Sequence, residues 1–436
     1  MNPLAEDLNR TLAGTCADRL LSASGKRMYF PKGILAQSAE ATEKATRFNA
    51  TIGMAVSGGK PMILDAVRSQ LPGLSEREAV AYAPTAGVSA LRARWKEELV
   101  RKNPSLAGKR FSLPVVVPGL TAGVSFLADL FIEPGDAVVV PDLFWPNYRL
   151  ILEERKGARL ATYPMFAPDG RFNVAGFESS LAAEGRARGR ALTILNFPNN
   201  PTGYSPSKAE AADIVAALER VAASGVDLLV VADDAYFGLQ YEADSLGESV
   251  FALLADRDER ILAAKVDGPT KEDYVWGFRA GFLSFACRGF EEAHYEALVK
   301  KLMGVVRSAV SNSTAPTQYI LLKALETAGV EAQKLAFKGI LEKRYRAVRS
   351  FLAANPPPEC LRILPFNSGY FMSYRCEGID AEELRKKLLD EQGIGVISMQ
   401  GGFLRVAFSS VGEGDVAELY GAIHEAAAAL ARRLEA

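Results

Sequence analysis

Short runs of β-branched and apolar residues, separated by stretches with helical periodicity, constrain the fold of this chain most. The runs are bounded by turn residues and cover residues 114–118, 137–140, 191–195 and 226–231. Apolar strands that alternate with helices predict an α/β fold with a mostly parallel central sheet and helices on both faces. Ligands of such sheets bind at the carboxyl ends of the strands. The residues that follow each strand are therefore the first candidates for a functional site.

The character of the sequence changes after about residue 317. Charged helical stretches up to residue 352 precede two short strand-like runs, 368–374 and 403–408, and an alanine-rich C-terminal helix. This pattern predicts a smaller α+β domain formed by N- and C-terminal segments. We expect residues 1–65 to form an N-terminal arm and part of the small domain, residues 66–316 the large domain, and residues 317–436 the small C-terminal domain.

Composition excludes several classes of function. The 436 residues include 51 basic and 52 acidic ones, so the net charge of −1 gives no overall field for nucleic acid or a membrane surface. Four cysteines without CxxC spacing predict reduced thiols. The two histidines have no partner ligands nearby in the sequence, which argues against a His-based metal site and a Ser-His-Asp triad. The charged first twenty residues do not resemble a secretory signal. We therefore expect a cytoplasmic enzyme with neither nucleic acid nor membrane as partner.

Lys271 lies in the most informative local stretch. It follows a small-residue turn, and Arg279 lies eight positions later, followed by Gly281. A lysine that condenses with an aldehyde needs an anion site for a phosphate, an acid for a ring nitrogen and a donor for a phenolate. Because the residues after the other strands offer these groups, the sequence predicts a site for pyridoxal 5'-phosphate.

The phosphate would lie at the start of a helix. Gly119, Leu120 and Thr121 join a strand to a helical stretch, and backbone amides at a helix N-terminus favour an anion. Arg279 would bind the same phosphate. The alternative for the glycine segment is a plain strand-to-helix turn. Trp145, just after another strand, could stack on the ring or could belong to the core.

The ring would lie beside Asp233. A carboxylate that faces the pyridine nitrogen keeps it protonated, and a protonated ring stabilises a carbanion on the substrate. Tyr236 and Asn200 could donate to the ring oxygen, although the stretch around Asn200 is also an ordinary turn. Lys271, once released from its bond with the cofactor, would move a proton between the substrate Cα and the cofactor C4'. This role requires a lysine pKa lowered to about 7–8.

Arg405 is the candidate for substrate recognition. It lies in an otherwise apolar strand-like run, and a buried arginine needs an anion. The α-carboxylate of an amino acid matches the guanidinium group. The alternative is an internal salt bridge.

With these residues in place, the chain resembles the fold-type I pyridoxal-phosphate enzymes of the class I/II aminotransferase family, from about residue 48 to 425. The resemblance adds Tyr82 and Thr270 to the cofactor site. It implies that Tyr82 binds the phosphate of the neighbouring subunit, and therefore that the protein is a homodimer with shared active sites. It also implies the roles given above for Asn200, Asp233 and Arg405.

Two further stretches resemble the aspartate/aromatic branch of that family. Residues 48–54 resemble its N-terminal substrate loop, with Gly53 as the substrate-binding glycine, and residues 306–312 resemble the segment whose arginine, here Arg307, binds the distal carboxylate of the substrate across the dimer interface. The chain departs from the branch at residues 313–314, where Ser-Thr replaces a pair of prolines. It also carries Gly268 where many members have a serine.

The resemblance implies an aminotransferase that works by a ping-pong mechanism through a Schiff base with Lys271. Aspartate or glutamate is the first expected substrate because of Arg307. Aromatic amino acids are the second. Tyr29, Phe30 and Phe144 could line a pocket for them, or could belong to the core. Two alternatives remain open, a pyridoxal-phosphate-dependent lyase, decarboxylase or racemase and a non-catalytic sensor. The sequence identifies neither the amino donor nor the acceptor.

Overall fold

The computed structural model describes residues 2–29, 56–57, 60–61 and 73–435. Gly53 and the other residues of the expected substrate loop lie outside the described residues, as does the expected boundary at residue 65. Within the described part of the chain, no helix is long and apolar enough to cross a membrane.

Residues 2–29 form three short helices on one face of the large sheet. They are α1 (Pro3–Leu12), α2 (Cys16–Leu20) and α3 (Ala23–Arg27). Asn2, Thr15 and Ser22 begin them, and each side chain accepts a hydrogen bond from a backbone N–H of the first turn. A short antiparallel pair follows, β1 (Val56–Ser57) with β2 (Lys60–Pro61).

A seven-stranded sheet forms the centre of the molecule. Its strands are β3 (Val115–Val117), β4 (Ala137–Pro141), β5 (Arg159–Tyr163), β6 (Arg190–Asn196), β7 (Asp227–Asp233), β8 (Ile261–Asp267) and β9 (Gly281–Ala286). The spatial order is β3-β9-β8-β7-β6-β4-β5, and β9 runs antiparallel to both of its neighbours. The other neighbouring strands are parallel. The predicted α/β fold is therefore confirmed.

Helices cover both faces of this sheet. They are α4 (Glu76–Val80), α5 (Ser89–Lys102), α6 (Leu120–Phe131), α7 (Val174–Arg188), α8 (Lys208–Ala223), α9 (Val250–Leu254), α10 (Pro269–Glu272) and α11 (Glu292–Ala309), with a π-helical turn at Arg149–Glu154 and 3₁₀ turns at Pro104–Leu106 and Trp276–Phe278. One hydrophobic core, which includes Trp95 and Leu218, fills one face. A second core, which includes Phe131 and Leu298, fills the other.

The C-terminal segment forms a smaller α+β unit. It contains α12 (Ala315–Leu325), α13 (Val330–Ala354), β10 (Leu361–Ile363), β11 (Met372–Cys376), α14 (Ala381–Gln392), β12 (Ile397–Met399), β13 (Phe403–Val406) and α15 (Val416–Glu435), with 3₁₀ turns at Phe408–Ser410 and Glu413–Asp415. The four strands form an antiparallel sheet in the order β10-β11-β13-β12. A third core, around Tyr345, Tyr374 and Tyr420, holds this unit together.

The expected three-part division of the chain remains a prediction. The small sheet that was expected near the C-terminus is present. The helices of residues 2–29 contribute Leu12 and Leu20 to a core of the large sheet. Their place in the fold is thus beside the large sheet, and any contribution of the N-terminal segment to the small domain would come from other residues.

The strand directions bring the loops of interest to one edge of the large sheet. Strands β4, β6, β7 and β8 are parallel and end at that edge, and β9, being antiparallel, begins there with Gly281. The segments that leave this edge therefore meet even though they are far apart in the sequence.

Candidate active site

A cavity with roughly 500 Å³ of empty space opens at the carboxyl edge of the sheet. Its walls are Leu120, Thr121, Trp145, Asn196, Asn200, Asp233, Ala235, Tyr236, Thr270, Lys271 and Arg279. The structure therefore brings most of the residues predicted from the sequence to a single cavity. Asn196 and Ala235 are additional.

One end of the cavity is built for an anion. Gly119 begins α6 with a φ of 87°. Because glycine has no side chain, the first backbone N–H groups of this helix receive no side-chain cap from it. A Cβ atom at Gly119 would lie 2.5 Å from Nη2 of Arg279. The absence of that atom lets the guanidinium group approach the helix N-terminus. A cation, helix amides and the lining residues Thr121 and Thr270 together suit a phosphate group.

Close packing explains the glycine at position 268. A Cβ atom there would lie 2.9 Å from the carbonyl oxygen of Ala280 and 3.0 Å from Cα of Gly281. The turn that leads from β8 to Lys271 therefore packs directly on the start of β9. A serine at this position has no room without a shift of the backbone.

Asp233 ends β7 and is buried, with 3% of its surface exposed. The hydroxyl of Tyr148 donates to its Oδ2 at 2.5 Å, whereas Oδ1 has no hydrogen-bond partner among the described residues. Burial raises the pKa of Asp233, and the hydrogen bond from Tyr148 and the charge of Lys271 oppose that rise. A buried carboxylate oxygen without a partner is costly. A protonated ring nitrogen would satisfy it, so this carboxylate fits the expected cofactor.

Lys271 lies in α10, with its Nζ atom 4.6 Å from the centroid of the Tyr236 ring. Burial lowers the pKa of Lys271; the carboxylate of Asp233 opposes this change and the guanidinium group of Arg279 adds to it. Burial also raises the pKa of Tyr236, which therefore keeps its proton and can donate a hydrogen bond. A lysine with a lowered pKa reaches the neutral form that proton transfer requires.

Arg405 lies next to the cavity on β13. Its Nη1 atom donates to Oδ1 of Asn200 at 2.9 Å, and its guanidinium carbon is 4.3 Å from the ring centroid of Phe371. Its Nε atom is buried without a hydrogen-bond partner among the described residues. Burial lowers the pKa of Arg405. A guanidinium group that is oriented but not fully satisfied is suited to binding a carboxylate from outside the chain.

Tyr82 and Arg307 do not line this cavity. Tyr82 is 80% exposed, and Arg307, near the end of α11, is exposed and donates to the hydroxyl of Ser311. The resemblance implies that both act across a dimer interface, and that role remains a prediction.

The expected aromatic pocket residues lie elsewhere or outside the described chain. Phe144 is buried in a core and stacks on Tyr148, with the ring centroids 6.4 Å apart. Tyr29 does not line the cavity; its backbone runs beside α11, where a Cβ atom on Gly304 would lie 2.6 Å from its carbonyl oxygen. Phe30 lies outside the described residues. Phe144 is thus a core residue, which is the second of the two alternatives that the sequence left open for it.

Sequence reasoning missed three residues that organise the site. Tyr148 binds Asp233, and Asn196 donates from Nδ2 to the backbone oxygen of Asp233 at 2.8 Å. Phe371 lies under the guanidinium group of Arg405. The spacing of three residues between Trp145 and Tyr148, one helical turn, was an available signal.

Comparison with known proteins identifies the family. The sequence model of the family described as aminotransferase class I and II matches residues 54–423. This match spans most of the chain and includes nearly all of the site residues described above. The chain belongs to the aminotransferase class I and II family.

Individual relatives agree with this assignment. The chain is 24% identical over 394 residues to an aspartate aminotransferase of Bacillus sp. (strain YM-2), which covers 87% of this chain and 92% of that protein. It is 37% identical over 161 residues to a histidinol-phosphate aminotransferase of Symbiobacterium thermophilum, which covers 36% of this chain and 37% of that protein. The crystal structure of an aminotransferase from Anaerococcus prevotii shares the fold, with a TM-score of 0.72 at 22% identity over 99% of this chain and 97% of that one. These findings support a pyridoxal-phosphate-dependent transaminase.

Proposed function

We propose that this protein transfers an amino group between an L-amino acid and a 2-oxo acid, with Lys271 as the catalytic lysine. The observation that carries the proposal is a pair of buried polar atoms without partners among the described residues, Oδ1 of Asp233 and Nε of Arg405. The first suits the N–H of a protonated ring, and the second suits a carboxylate. Both residues are close to the cavity that holds Lys271, since Asp233 lines it and Arg405 binds Asn200 of its wall.

The residues of the site would hold pyridoxal 5'-phosphate as follows. The phosphate would bind Gly119, Leu120, Thr121, Thr270 and Arg279, together with Tyr82 of a second copy. Trp145 would cover one face of the ring, Asp233 would accept from the ring nitrogen, and Asn200 and Tyr236 would donate to the ring oxygen. When bound, this group supplies an aldehyde that condenses with an amine and a ring that draws electrons from the substrate Cα.

The chain's own residues then bind the substrate and move the proton. Arg405 and Asn200 bind the α-carboxylate and so orient the amino acid with its Cα–H towards Lys271. The neutral amine of Lys271 would take the proton from Cα and hold it while the amino group is transferred. Water would release the 2-oxo acid product, and the amino group would stay with the bound cofactor until a second 2-oxo acid accepts it, which gives ping-pong kinetics.

The first proposed substrate is a dicarboxylic amino acid, with aromatic amino acids next. Support comes from Arg307 and from similarity to a relative named as an aspartate aminotransferase. Because Arg307 would act across the interface of a homodimer, Arg307→Leu should raise KM for aspartate and leave KM for an aromatic amino acid unchanged. Unchanged kinetics with aspartate would show that Arg307 does not bind the distal carboxylate of the substrate.

Chemical trapping tests the assignment of Lys271. The purified protein is loaded with pyridoxal 5'-phosphate, reduced with sodium borohydride, digested and analysed by mass spectrometry. We expect the cofactor mass on the peptide that contains Lys271 and its loss in Lys271→Ala. Lys301, a buried lysine whose amine binds backbone carbonyls, provides the control, because Lys301→Met should keep the label. A label on another lysine, or no label, would contradict the proposal.

A further inference from the structure

A buried cluster of charges lies directly behind the candidate site. Lys265 on β8 is fully buried, and its ammonium group pairs with Oδ2 of Asp234 and lies 3.6 Å from Oδ2 of Asp267. Asp234 follows Asp233 in the chain, and Asp267 ends β8, four residues before Lys271. Lys265 therefore connects the segment that carries the ring-nitrogen acid to the segment that carries the catalytic lysine.

Neighbouring side chains orient the two carboxylates of this cluster. The hydroxyl of Ser249 donates to Oδ2 of Asp234 at 2.5 Å, and the indole N–H of Trp95 donates to Oδ2 of Asp267 at 3.2 Å. The Nζ atom of Lys265 lies 4.8 Å from the ring centroid of Phe237, in the turn that also carries Tyr236. The cluster thus contacts the turn after β7 through both Asp234 and Phe237.

Lys265 remains charged in this setting. Burial lowers its pKa, but the charges of Asp234 and Asp267 outweigh burial, so the pKa of Lys265 is raised. Burial raises the pKa of Asp267 to about 6, although Lys265 and the more distant Lys102 oppose the rise. Asp234 is 4% exposed, so its carboxylate depends on Lys265 for a cation. Loss of that cation would leave a charge that the protein interior does not tolerate.

We propose that Lys265 is a positioning residue, whose ammonium group holds Asp234 and Asp267 and thereby fixes Asp233 relative to Lys271. The inference rests on the proposed function, in which Asp233 binds the ring nitrogen. A buried carboxylate without a cation either takes up a proton or moves towards water. Because Asp233 and Asp234 share a peptide bond, a displacement of the second residue moves the first, and a small misplacement is enough to weaken a hydrogen bond.

Binding of two probes to the apo protein tests this role. The probes are pyridoxal 5'-phosphate and an analogue in which a CH group replaces the ring nitrogen. The wild-type protein should bind pyridoxal 5'-phosphate more tightly, because the analogue cannot donate to Asp233. Lys265→Met should weaken binding of pyridoxal 5'-phosphate by roughly tenfold, the loss expected for one charge-assisted hydrogen bond. It should leave binding of the analogue unchanged. Lys265→Gln gives the same comparison where the methionine variant does not fold.

Two further variants separate positioning from general damage. Lys265→Met combined with Asp234→Asn leaves no carboxylate without a cation at position 234. Most of the selective loss should therefore be reversed, while Asp267 keeps its hydrogen bond from Trp95. Lys301→Met removes a lysine that is equally buried but binds the backbone carbonyls of Gly25, Lys26 and Met28. It should leave both affinities unchanged.

The outcomes of this experiment distinguish the two claims. Equal weakening of both probes by Lys265→Met, or no weakening of either, overturns the role of Lys265. Equal binding of both probes by the wild-type protein shows instead that Asp233 does not hold the ring nitrogen. In that case the contact between Asp233 and the ring nitrogen is removed from the proposed function, and the positioning role of Lys265 is contradicted as well.

Discussion

The hydroxyl of Tyr148 donates a 2.5 Å hydrogen bond to Oδ2 of Asp233 and leaves Oδ1 without a partner among the described residues. The bond joins the segment after β4 to the end of β7, across the intervening strand β6. One oxygen of the carboxylate is thus fixed by the protein while the other is left for a ligand. In the proposed function, this free oxygen would accept a hydrogen bond from the ring nitrogen of the cofactor.

Removal of that hydroxyl should change the pH profile of the half-reaction with an amino acid. The hydrogen bond from Tyr148 opposes the rise that burial causes in the pKa of Asp233. Tyr148→Phe should therefore raise the pKa of Asp233, so the carboxylate forms only at higher pH and the acidic limb of the profile moves up. We expect the rate at neutral pH to fall about threefold to tenfold, the value of one net hydrogen bond.

Tyr204→Phe is the matched control for this prediction. The hydroxyl of Tyr204 is also buried and donates to a carboxylate, Glu210, at 2.6 Å, but neither residue lines the cavity. Removal of the Tyr204 hydroxyl should leave the pH profile of the half-reaction unchanged. A shift of the same size in both variants would contradict a specific role for Tyr148.

The charge of Arg279 should set the pH at which Lys271 reacts. Arg279 adds to the lowering of the pKa of Lys271 that burial begins, so Arg279→Met should raise that pKa and move the rate of amine capture to higher pH. Capture of pyridoxal by the apo protein measures this directly, since pyridoxal has no phosphate for Arg279 to bind. Arg220→Met, which removes an exposed arginine paired with Glu178, should leave the profile unchanged. A shift to lower pH would contradict the account.

Loss of Arg405 should lower kcat/KM only for substrates that carry a carboxylate. Arg405→Met removes the guanidinium group beside Asn200, and kcat/KM for an amino acid should fall at least about tenfold, the loss expected for a charge-assisted hydrogen bond. The slow reaction of a simple amine without a carboxylate should not change. Arg375→Met, on the neighbouring strand β11, is the control, because Arg375 is exposed and lies over Phe403. Equal losses for the amino acid and the amine would argue against carboxylate recognition.

A serine at position 268 should destabilise the protein. The added Cβ would meet the backbone at Ala280 and Gly281, so Gly268→Ser should lower the free energy of unfolding by about 1–3 kcal/mol. Urea denaturation measures the change. Gly247→Ser, at a site where a Cβ meets no atom within 4 Å, should change stability far less. Equal effects at the two positions would show that crowding at Gly268 is not the cause.

The sequence predicted the parts of the site that depend on strand ends. Asp233 follows the predicted strand at residues 226–231, and the rule for parallel sheets places it at the edge where ligands bind. The strand before Lys271, β8, was not predicted, and the signals for Lys271 were the turn before it and the position of Arg279. Contacts between distant segments could not be predicted in the same way. Tyr148 and Asp233 are 85 positions apart, and Asn200 and Arg405 are 205 apart. Only the packing of strands and loops in three dimensions defines those partners.

The buried lysine illustrates the same limit. Lys265 lies in an apolar strand, and the local pattern gives no indication of which acid it meets. The three capping residues of the N-terminal helices were a local signal of the kind that sequence does provide. Their helices were nevertheless not predicted, because they span only 10, 5 and 5 residues, which is too short for helical periodicity to identify them.

A single-turnover experiment distinguishes transamination by Lys271 from elimination and decarboxylation. The protein loaded with pyridoxal 5'-phosphate is mixed with aspartate, glutamate, an aromatic amino acid or alanine in the absence of any 2-oxo acid, and the products are quantified. The account predicts one equivalent of 2-oxo acid per subunit, no free ammonia, and no product from Lys271→Ala. Continuous release of ammonia or carbon dioxide without an acceptor, or retained transamination by Lys271→Ala, would contradict it.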